Sequence, residues 1–398
     1  MATSSDEGFD GSGFEPAAER GDAARPAAAE RGDVEPEFDE LHVFWITGES
    51  CDGCTIAAAG ATDPGLEDVL TGAVPQLPKI NLHHPVLATE WGENYVDEFR
   101  AAMRGERDPY AIVVEGSVPN EKLISGDGED GYWIAMGEDE NGDPIRCVDW
   151  LDRLAPGAAA TIAIGTCATW GGIPAAEGNP TDAMGTMDYL GRDYRSVLGL
   201  PVINVPGCSP VGDNFVETVA HVLLYAQDLA PLPELDELGR PKWLFGETVH
   251  RNCNRGSYYE EGDFAEEYGS EKCLVKEPGC WGPVVKCNMP SRRAVDGVGG
   301  CMNVGGKCIG CTMPGFPDKF TPYFKEPPGS TISSAGTKIL GALMRPLRRK
   351  SMSNLDRETR WDEESSGIGI EERLYEWYHR RGANYDTGRQ DFQRGEAD

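Results

Sequence analysis

The chain has 398 residues, of which 67 are acidic and 36 basic, so its formal net charge is -31. This length allows two or three domains and a substantial apolar core. The acidity excludes a nucleic-acid-binding protein, because such proteins present a basic surface to the phosphates. It is typical either of acidic tails on an ordinary protein or of a protein from a salty cytosol.

The first 40 residues predict a disordered acidic tail, because they are polar and rich in Ala, Gly and Pro. They contain no apolar segment and no twin-arginine pair, so we expect neither an export signal nor an anchor. No run of eighteen apolar residues follows, so no transmembrane segment is expected. We therefore expect a cytoplasmic protein, with peripheral membrane association left open, whose cysteines bind metal rather than form disulfides.

Short apolar runs, each ending at or beside a glycine, indicate buried parallel strands. They are residues 41–47, 111–116, 161–165 and 201–207. Helices are predicted between or after them, at residues 55–61, 91–103 and 214–226. The pattern predicts an α/β fold, a flavodoxin-like doubly wound parallel sheet, over residues 41–230.

Cysteines follow three of these strands directly. Cys51 and Cys54 come after the first strand, Cys167 after the third and Cys208 after the fourth. Because the carboxyl ends of parallel strands share one edge, we expect four thiols to converge there. A lone cysteine is commonly buried and inert, but four at strand ends favour a 4Fe-4S cluster or zinc.

Residues 231–330 predict a second, loop-rich domain that contains one histidine and seven cysteines close together. These residues are His250, Cys253, Cys273, Cys280, Cys287, Cys301, Cys308 and Cys311. Thiolates with an imidazole suit iron-sulfur clusters or zinc, and metal binding can itself fold such a segment. Cys147 lies apart from these spacings and is interpreted as unligated, while His83, His84 and His221 are interpreted as structural.

Several motifs together resemble the small, electron-transfer subunit of nickel-iron hydrogenases, in its soluble actinobacterial-type branch. They are Cys51-x2-Cys54, Gly165-Thr166-Cys167-Ala168, Pro206-Gly207-Cys208-Ser209-Pro210, His250-x2-Cys253-x-Arg255, Cys280-Trp281-Gly282-Pro283 and Cys308-Ile309-Gly310-Cys311. The resemblance runs from about residue 41 to 325. It implies an amino-terminal flavodoxin-like domain and a cluster-holding domain with little regular structure.

The resemblance implies three iron-sulfur clusters, a proximal 4Fe-4S, a medial 4Fe-4S or 3Fe-4S, and a distal 4Fe-4S. The proximal ligands would be Cys51, Cys54, Cys167 and Cys208; the distal ligands His250, Cys253, Cys273 and Cys280; the medial ligands Cys287, Cys308 and Cys311, with Cys301 as a fourth. Cys301 favours a medial 4Fe-4S cluster. Asp52 as a proximal ligand, as some soluble relatives have, stays open.

The family's dihydrogen chemistry takes place at a nickel-iron centre in a large subunit, so no catalytic residue is expected in this chain. The chain would pass electrons from that obligate partner to an external acceptor, a protein or a quinone. Two alternatives are a complex-I-like quinone oxidoreductase subunit and a zinc-stabilised binding module. The first would have a single cluster and adjacent cysteines, a pair that this chain lacks.

Residues 331–398 predict a helix followed by a tail. A basic amphipathic helix is predicted over residues 338–350. We expect it to pack against a partner or a second copy of the heterodimer rather than a membrane, because an anionic surface would repel so acidic a chain.

Overall fold

The computed structural model describes residues 38–125 except 89 and 91, residues 131–321, and residue 323. Contacts divide the chain into two compact units, with the boundary between Trp243 and Leu244. This boundary lies further along the chain than the one predicted at residue 230. The predicted acidic tail before residue 38, the start of a helix at residue 91, and the helix and tail after residue 330 lie outside the described residues.

The first unit is built on a parallel sheet. Its strands and those of a separate hairpin are β1 (Glu40–Thr47), β2 (Lys79–His83), β3 (Tyr110–Glu115), β4 (Ala135–Glu138), β5 (Pro144–Arg146), β6 (Thr161–Ile164) and β7 (Ile203–Val205). The sheet has the order β2-β1-β3-β6-β7, and each of its neighbouring pairs is parallel. The strand order reverses between β1 and β3, which is where ligands bind in doubly wound sheets. The antiparallel pair β4-β5 stands outside it.

Helices connect and cover these strands. The helices of both units in the described residues are α1 (Gly53–Ala59), α2 (Leu66–Leu70), α3 (Glu93–Met103), α4 (Lys122–Ser125), α5 (Cys147–Leu154), α6 (Gly165–Trp170), α7 (Thr186–Leu190), α8 (Gly212–Ala226), α9 (Lys242–Phe245), α10 (Gly256–Glu261) and α11 (Met289–Arg292). Helices α10 and α11 belong to the second unit. Short 3-10 helices span Ala155–Gly157, Val249–Asn252 and Asp318–Phe320.

The sheet is apolar on both faces because successive side chains of β1 point to opposite sides. Phe44 and Ile46 belong to the core formed with α3 and α5, which includes Phe99. Trp45 faces the other way, and its ring centroid lies 5.5 Å from that of Phe215 in α8. Helices therefore cover both faces, and the functional loops are left at the carboxyl ends of the strands.

The prediction of an α/β fold with a parallel sheet is confirmed, and the four predicted strands occur within two residues of their expected ends. Strand β2 was not predicted, because its sequence Lys-Ile-Asn-Leu-His is short and half polar. Helix α5 was also missed. It begins at Cys147, which is 3% exposed and belongs to the apolar core with Trp150.

The second unit has little regular structure beyond its short helices. Its apolar core is small and includes Val285, Met313, Phe316 and Phe320, with Trp281 packed edge-on against Phe320. Several cysteines pack against this core rather than standing apart from it. Among the described residues, no helix is long and apolar enough to cross a bilayer.

Candidate metal centres

The four cysteines predicted at strand ends lie together in the first unit. Cys51 and Cys54 stand at the start of α1, Cys167 lies within α6, and Cys208 follows β7. The Cys54 thiol interacts electrostatically with the other three thiols. Burial, then the nearby Glu115 and then these thiols raise the pKa of Cys54 far above its ordinary value, and burial raises that of Cys167 to about 11.

The arrangement of these four thiols favours the binding of a metal. Cys51 and Cys208 are exposed, whereas Cys54 and Cys167 are partly buried. The thiols of Cys54 and Cys167 resist losing their protons, because a thiolate there would be desolvated and repelled by its neighbours. A bound cation removes both penalties, so the arrangement fits a soft metal or a cluster. Gly172 leaves room for it, since a Cβ there would lie 2.7 Å from the sulfur of Cys167.

Glu115, at the end of β3, fixes the loop that carries two of these thiols. One carboxylate oxygen accepts hydrogen bonds from the backbone amides of Cys54 and Thr55, each at 3.1 Å. The other accepts from Nε1 of Trp45 at 2.9 Å and from the Thr55 hydroxyl. With a relative exposure of 1%, Glu115 is a buried carboxyl group with four donors, and it holds the start of α1 against the sheet.

Sequence reasoning did not single out Glu115. The available signal was a charged residue at the end of an otherwise apolar strand, Tyr-Ala-Ile-Val-Val-Glu. His84 belongs to the same network, because its Nε2 lies 3.0 Å from the Thr55 hydroxyl. Burial lowers the pKa of His84 to about 4, so its ring is neutral near pH 7. Its interpretation as structural agrees with these contacts.

Gly165 provides a first testable prediction, because it combines a φ of +84° with a position where a Cβ would overlap the sulfur of Cys54. We expect Gly165→Ala to lower the free energy of unfolding by more than the roughly 1–3 kcal/mol of backbone strain alone. Gly191→Ala is the matched control, since Gly191 has a φ of +86° and nothing within 4 Å. Urea unfolding and iron analysis measure the difference. Equal losses in both variants would show that the contact with Cys54 is unimportant.

In the second unit, a cavity collects one imidazole and three thiols. The cavity has a volume of about 340 Å³, counted with the space open to solvent. Its lining includes His250, Cys253, Cys273 and Cys280. His250 lies in the 3-10 helix and its ring contacts Tyr259 edge-on at 4.2 Å. Burial, together with the nearby Cys280 and Cys253, raises the pKa of Cys273 to about 12.

Backbone amides point at the sulfur atoms around this cavity. Gly282 N lies 3.4 Å from Cys280 Sγ, and Cys308 N lies 3.3 Å from the same atom. Arg255 N lies 3.5 Å from Cys253 Sγ. Amide donors of this kind stabilise thiolates and tune the potential of a cluster that they hold.

Three other cysteines form a neighbouring group in the same unit. The thiol of Cys308 is buried and interacts electrostatically with those of Cys311, Cys287 and Cys280. Met289 N donates to Cys287 Sγ at 3.4 Å. Cys301 is exposed, and its carbonyl accepts a 2.7 Å hydrogen bond from Gly306 N. The structure therefore brings three of the four predicted medial residues together and places the backbone of Cys301 beside the segment that leads to Cys308.

Lys307 adds a buried positive charge beside these groups. Its ammonium donates to the carbonyl oxygens of Pro278 and Gly279. Burial lowers the pKa of Lys307, while the thiols of Cys280 and Cys308 raise it. A cation here favours the thiolate form of both cysteines.

A parallel sheet with thiols at its carboxyl edge, followed by a cysteine-rich unit, defines a redox protein of the electron-transfer class. Residues 245–324 match the family described as the carboxy-terminal part of the small subunit of NiFe/NiFeSe hydrogenases. Residues 51–222 match the family described as the 20 Kd subunit of NADH ubiquinone oxidoreductase. The second match is to a subunit of the complex-I-like class, which was one of the two alternatives.

Comparison with individual relatives distinguishes between these two families. The chain is 33% identical over 290 residues to the periplasmic [NiFeSe] hydrogenase small subunit of Desulfomicrobium baculatum, covering 71% of this chain and 86% of that one. It is 34% identical over 297 residues to the hydrogenase-2 small chain of Escherichia coli, covering 73% and 71%. The structure matches an actinobacterial-type NiFe-hydrogenase from Ralstonia eutropha with a TM-score of 0.74 and 50% identity, covering 85% of this chain and 97% of that one. The chain belongs to the small-subunit family of nickel-iron hydrogenases.

Proposed function

We propose that this subunit holds three iron-sulfur clusters and passes electrons from a large-subunit partner to an external acceptor. Each cluster, when bound, takes up and releases single electrons. In the first unit Cys51, Cys54, Cys167 and Cys208 would hold the proximal 4Fe-4S cluster. In the second unit the distal cluster would be held by His250, Cys253, Cys273 and Cys280, and the medial cluster by Cys287, Cys301, Cys308 and Cys311.

The observation that carries this proposal is the cavity lined by His250 and three cysteines. Its donor set is one neutral nitrogen and three sulfurs, with backbone amides aimed at the sulfurs. The thiol of Cys54 and the three thiols that interact with it provide a second donor set, which has four sulfurs. These donor sets suit iron-sulfur clusters. The resemblance to the family places the nickel-iron centre in the partner subunit.

The chain's own residues would have three tasks in this function. The cysteines and His250 hold the clusters, and the apolar residues around them, such as Met302 and Val249, exclude water. The backbone amides and Lys307 stabilise negative charge on the sulfurs. His250 supplies a neutral ligand, which makes a cluster less negative than a thiolate would, and so suits the site of transfer to an acceptor protein or a quinone.

Anaerobic co-purification with the large subunit, followed by a test for hydrogen-dependent dye reduction, examines the proposal directly. We expect an obligate complex that reduces the dye only when dihydrogen is present. An isolated chain that binds no large subunit, or a complex that is inactive although its large subunit contains nickel, would overturn it. Gel filtration of the same complex would show whether heterodimers pair.

His250→Cys tests the role of the imidazole. We expect electron delivery to the acceptor to slow by about tenfold, because an added thiolate lowers the cluster potential and 59 mV changes a one-electron equilibrium tenfold. Hydrogen isotope exchange at the partner's centre should stay within about twofold. His221→Cys, at a half-buried site in the other unit, is the control. Equal losses of delivery and exchange in His250→Cys would contradict this role.

Cys301→Ala tests whether the medial cluster has four protein ligands. With Cys301 as the fourth ligand, the alanine variant is expected to lose about one iron per chain and to show the electron paramagnetic resonance signal of an oxidised 3Fe-4S cluster. Unchanged iron content and an unchanged spectrum would instead support a medial 3Fe-4S cluster held by Cys287, Cys308 and Cys311 alone.

A further inference from the structure

Two histidines and a glutamate meet in the first unit, on residues that the proposed function does not use. His42 lies in β1, His83 is the last residue of β2, and Glu98 lies on α3. One nitrogen from each ring and one carboxylate oxygen all lie within 4.8 Å of one another. Nδ1 of His42 is 2.8 Å from Nε2 of His83, and Oε2 of Glu98 is 3.9 Å from that same nitrogen.

Packing explains only part of this arrangement. The two imidazole planes are parallel within 1°, and the His83 ring stacks on Phe44 with centroids 4.6 Å apart. Stacking does not account for Nδ1 of His83, which is buried and has no hydrogen-bond partner among the described residues. A carboxylate oxygen, Oε1 of Glu90, lies 3.9 Å from this nitrogen, which is too far for a hydrogen bond. A buried nitrogen without a partner is costly, so the cluster as it stands is incomplete.

We propose that His42 Nδ1, His83 Nε2 and Glu98 Oε2 form a binding site for a divalent transition-metal ion of the zinc class. Two imidazoles and a carboxylate are ligands that such ions favour, and three protein ligands leave room for water. Ligation through Nε2 places the proton of His83 on Nδ1, which then faces Glu90. A ligating histidine ordinarily donates its other nitrogen to a carboxylate, and Glu90 is the carboxylate that could accept from His83 Nδ1 once it moves closer than 3.9 Å.

The charges around the site are mixed, because the carboxylates of Glu98 and Glu90 attract a cation whereas the guanidinium of Arg107 opposes it. Burial lowers the pKa of His42, and it lowers that of His83 to about 4, so both rings are neutral near pH 7 and keep a lone pair for the ion. The proton in the hydrogen bond between His42 Nδ1 and His83 Nε2 moves to the other nitrogen of the ring that carries it. Both ligating nitrogens are then free to bind the ion, and no net proton is released. Arg107 holds Glu98 ionised through bonds of 2.6 and 3.1 Å. A carboxylate has enough lone pairs to accept hydrogen bonds from arginine and to bind an ion at the same time.

An ion here would tie the edge strand β2 to β1 and to α3, and so would stabilise the first unit by mass action. The test uses the full chain with its iron and sulfide intact, kept anaerobic and titrated with Co²⁺ and then Zn²⁺. His42→Gln and Glu98→Gln change two partly exposed ligands. The matched control is His221→Gln, since His221 lies in the same unit on α8 and stacks on Trp243.

The expected result is one saturable cobalt site without thiolate charge-transfer bands, displaced by zinc. Both ligand variants should weaken it by at least about tenfold, and the control by less than about twofold. Zinc should raise the unfolding temperature of the unsubstituted chain and of His221→Gln only. The proposal is overturned if no saturable binding occurs, if the ligand variants bind as well as the control, or if every cobalt site shows thiolate bands.

Discussion

Replacing Cys167 with alanine is expected to remove about a third of the iron of the chain and to lower hydrogen-dependent dye reduction more than about 100-fold. Cys167 lies in α6 with its thiol beside those of Cys54, Cys51 and Cys208. Changes next to metal ligands already cost 10–100-fold, so loss of a ligand at the first cluster should cost more. Iron analysis and dye reduction under dihydrogen measure both effects.

Cys147→Ala is the control, because Cys147 is buried in the apolar core at the start of α5. We expect it to keep its full iron content and its activity, with a loss of stability of about 1 kcal/mol for the small cavity left behind. If Cys147→Ala loses as much iron as Cys167→Ala, the assignment of the proximal ligands is wrong.

Glu115→Gln is expected to lower the free energy of unfolding by about 2–4 kcal/mol, because each buried donor left without an acceptor costs about 1–3 kcal/mol. The amide of glutamine offers one acceptor oxygen, and its nitrogen would face donors from Thr55, Cys54 or Trp45. The loop that holds Cys51 and Cys54 would lose its anchor. Chemical denaturation and the iron content of the purified chain report the two consequences.

Glu49→Gln is the matched control, since Glu49 lies in the same loop between β1 and α1, where it accepts a 2.9 Å hydrogen bond from the Ser117 hydroxyl. We expect that variant to change stability by less than about 1 kcal/mol, because its carboxylate is less enclosed. A Glu115→Gln protein as stable and as iron-rich as Glu49→Gln would show that the buried carboxylate does not position the loop.

The parts of the fold that could be predicted are those where the hydrophobic pattern allows only one interpretation. Apolar runs ending beside Gly116 and Gly207 identified β3 and β7 because a fully buried strand has no polar face. Strand β2 was not predicted because Lys79 and Asn81 lie at the sheet edge, where they contact Glu40, and so interrupt the apolar pattern. Helix α5 escaped because Cys147 was read for its chemistry, whereas its surroundings are those of an apolar core residue.

The candidate site was predictable where chemistry alone selects residues. Thiols after strands, and a histidine three residues before Cys253, are visible as spacing along the chain. The contacts of Glu115 are not, because they join positions about sixty residues apart through the register of β1 and β3. The meeting of His42 and His83 likewise depends on β1 pairing with β2, a strand that the sequence did not reveal.

The most direct test of the account is an iron and acid-labile sulfide analysis of the chain prepared without air. Three clusters held by eleven cysteines and His250 predict a brown protein with about twelve iron and twelve sulfide per chain, or about eleven iron with a medial 3Fe-4S cluster. A colourless protein that contains zinc and no sulfide would contradict it.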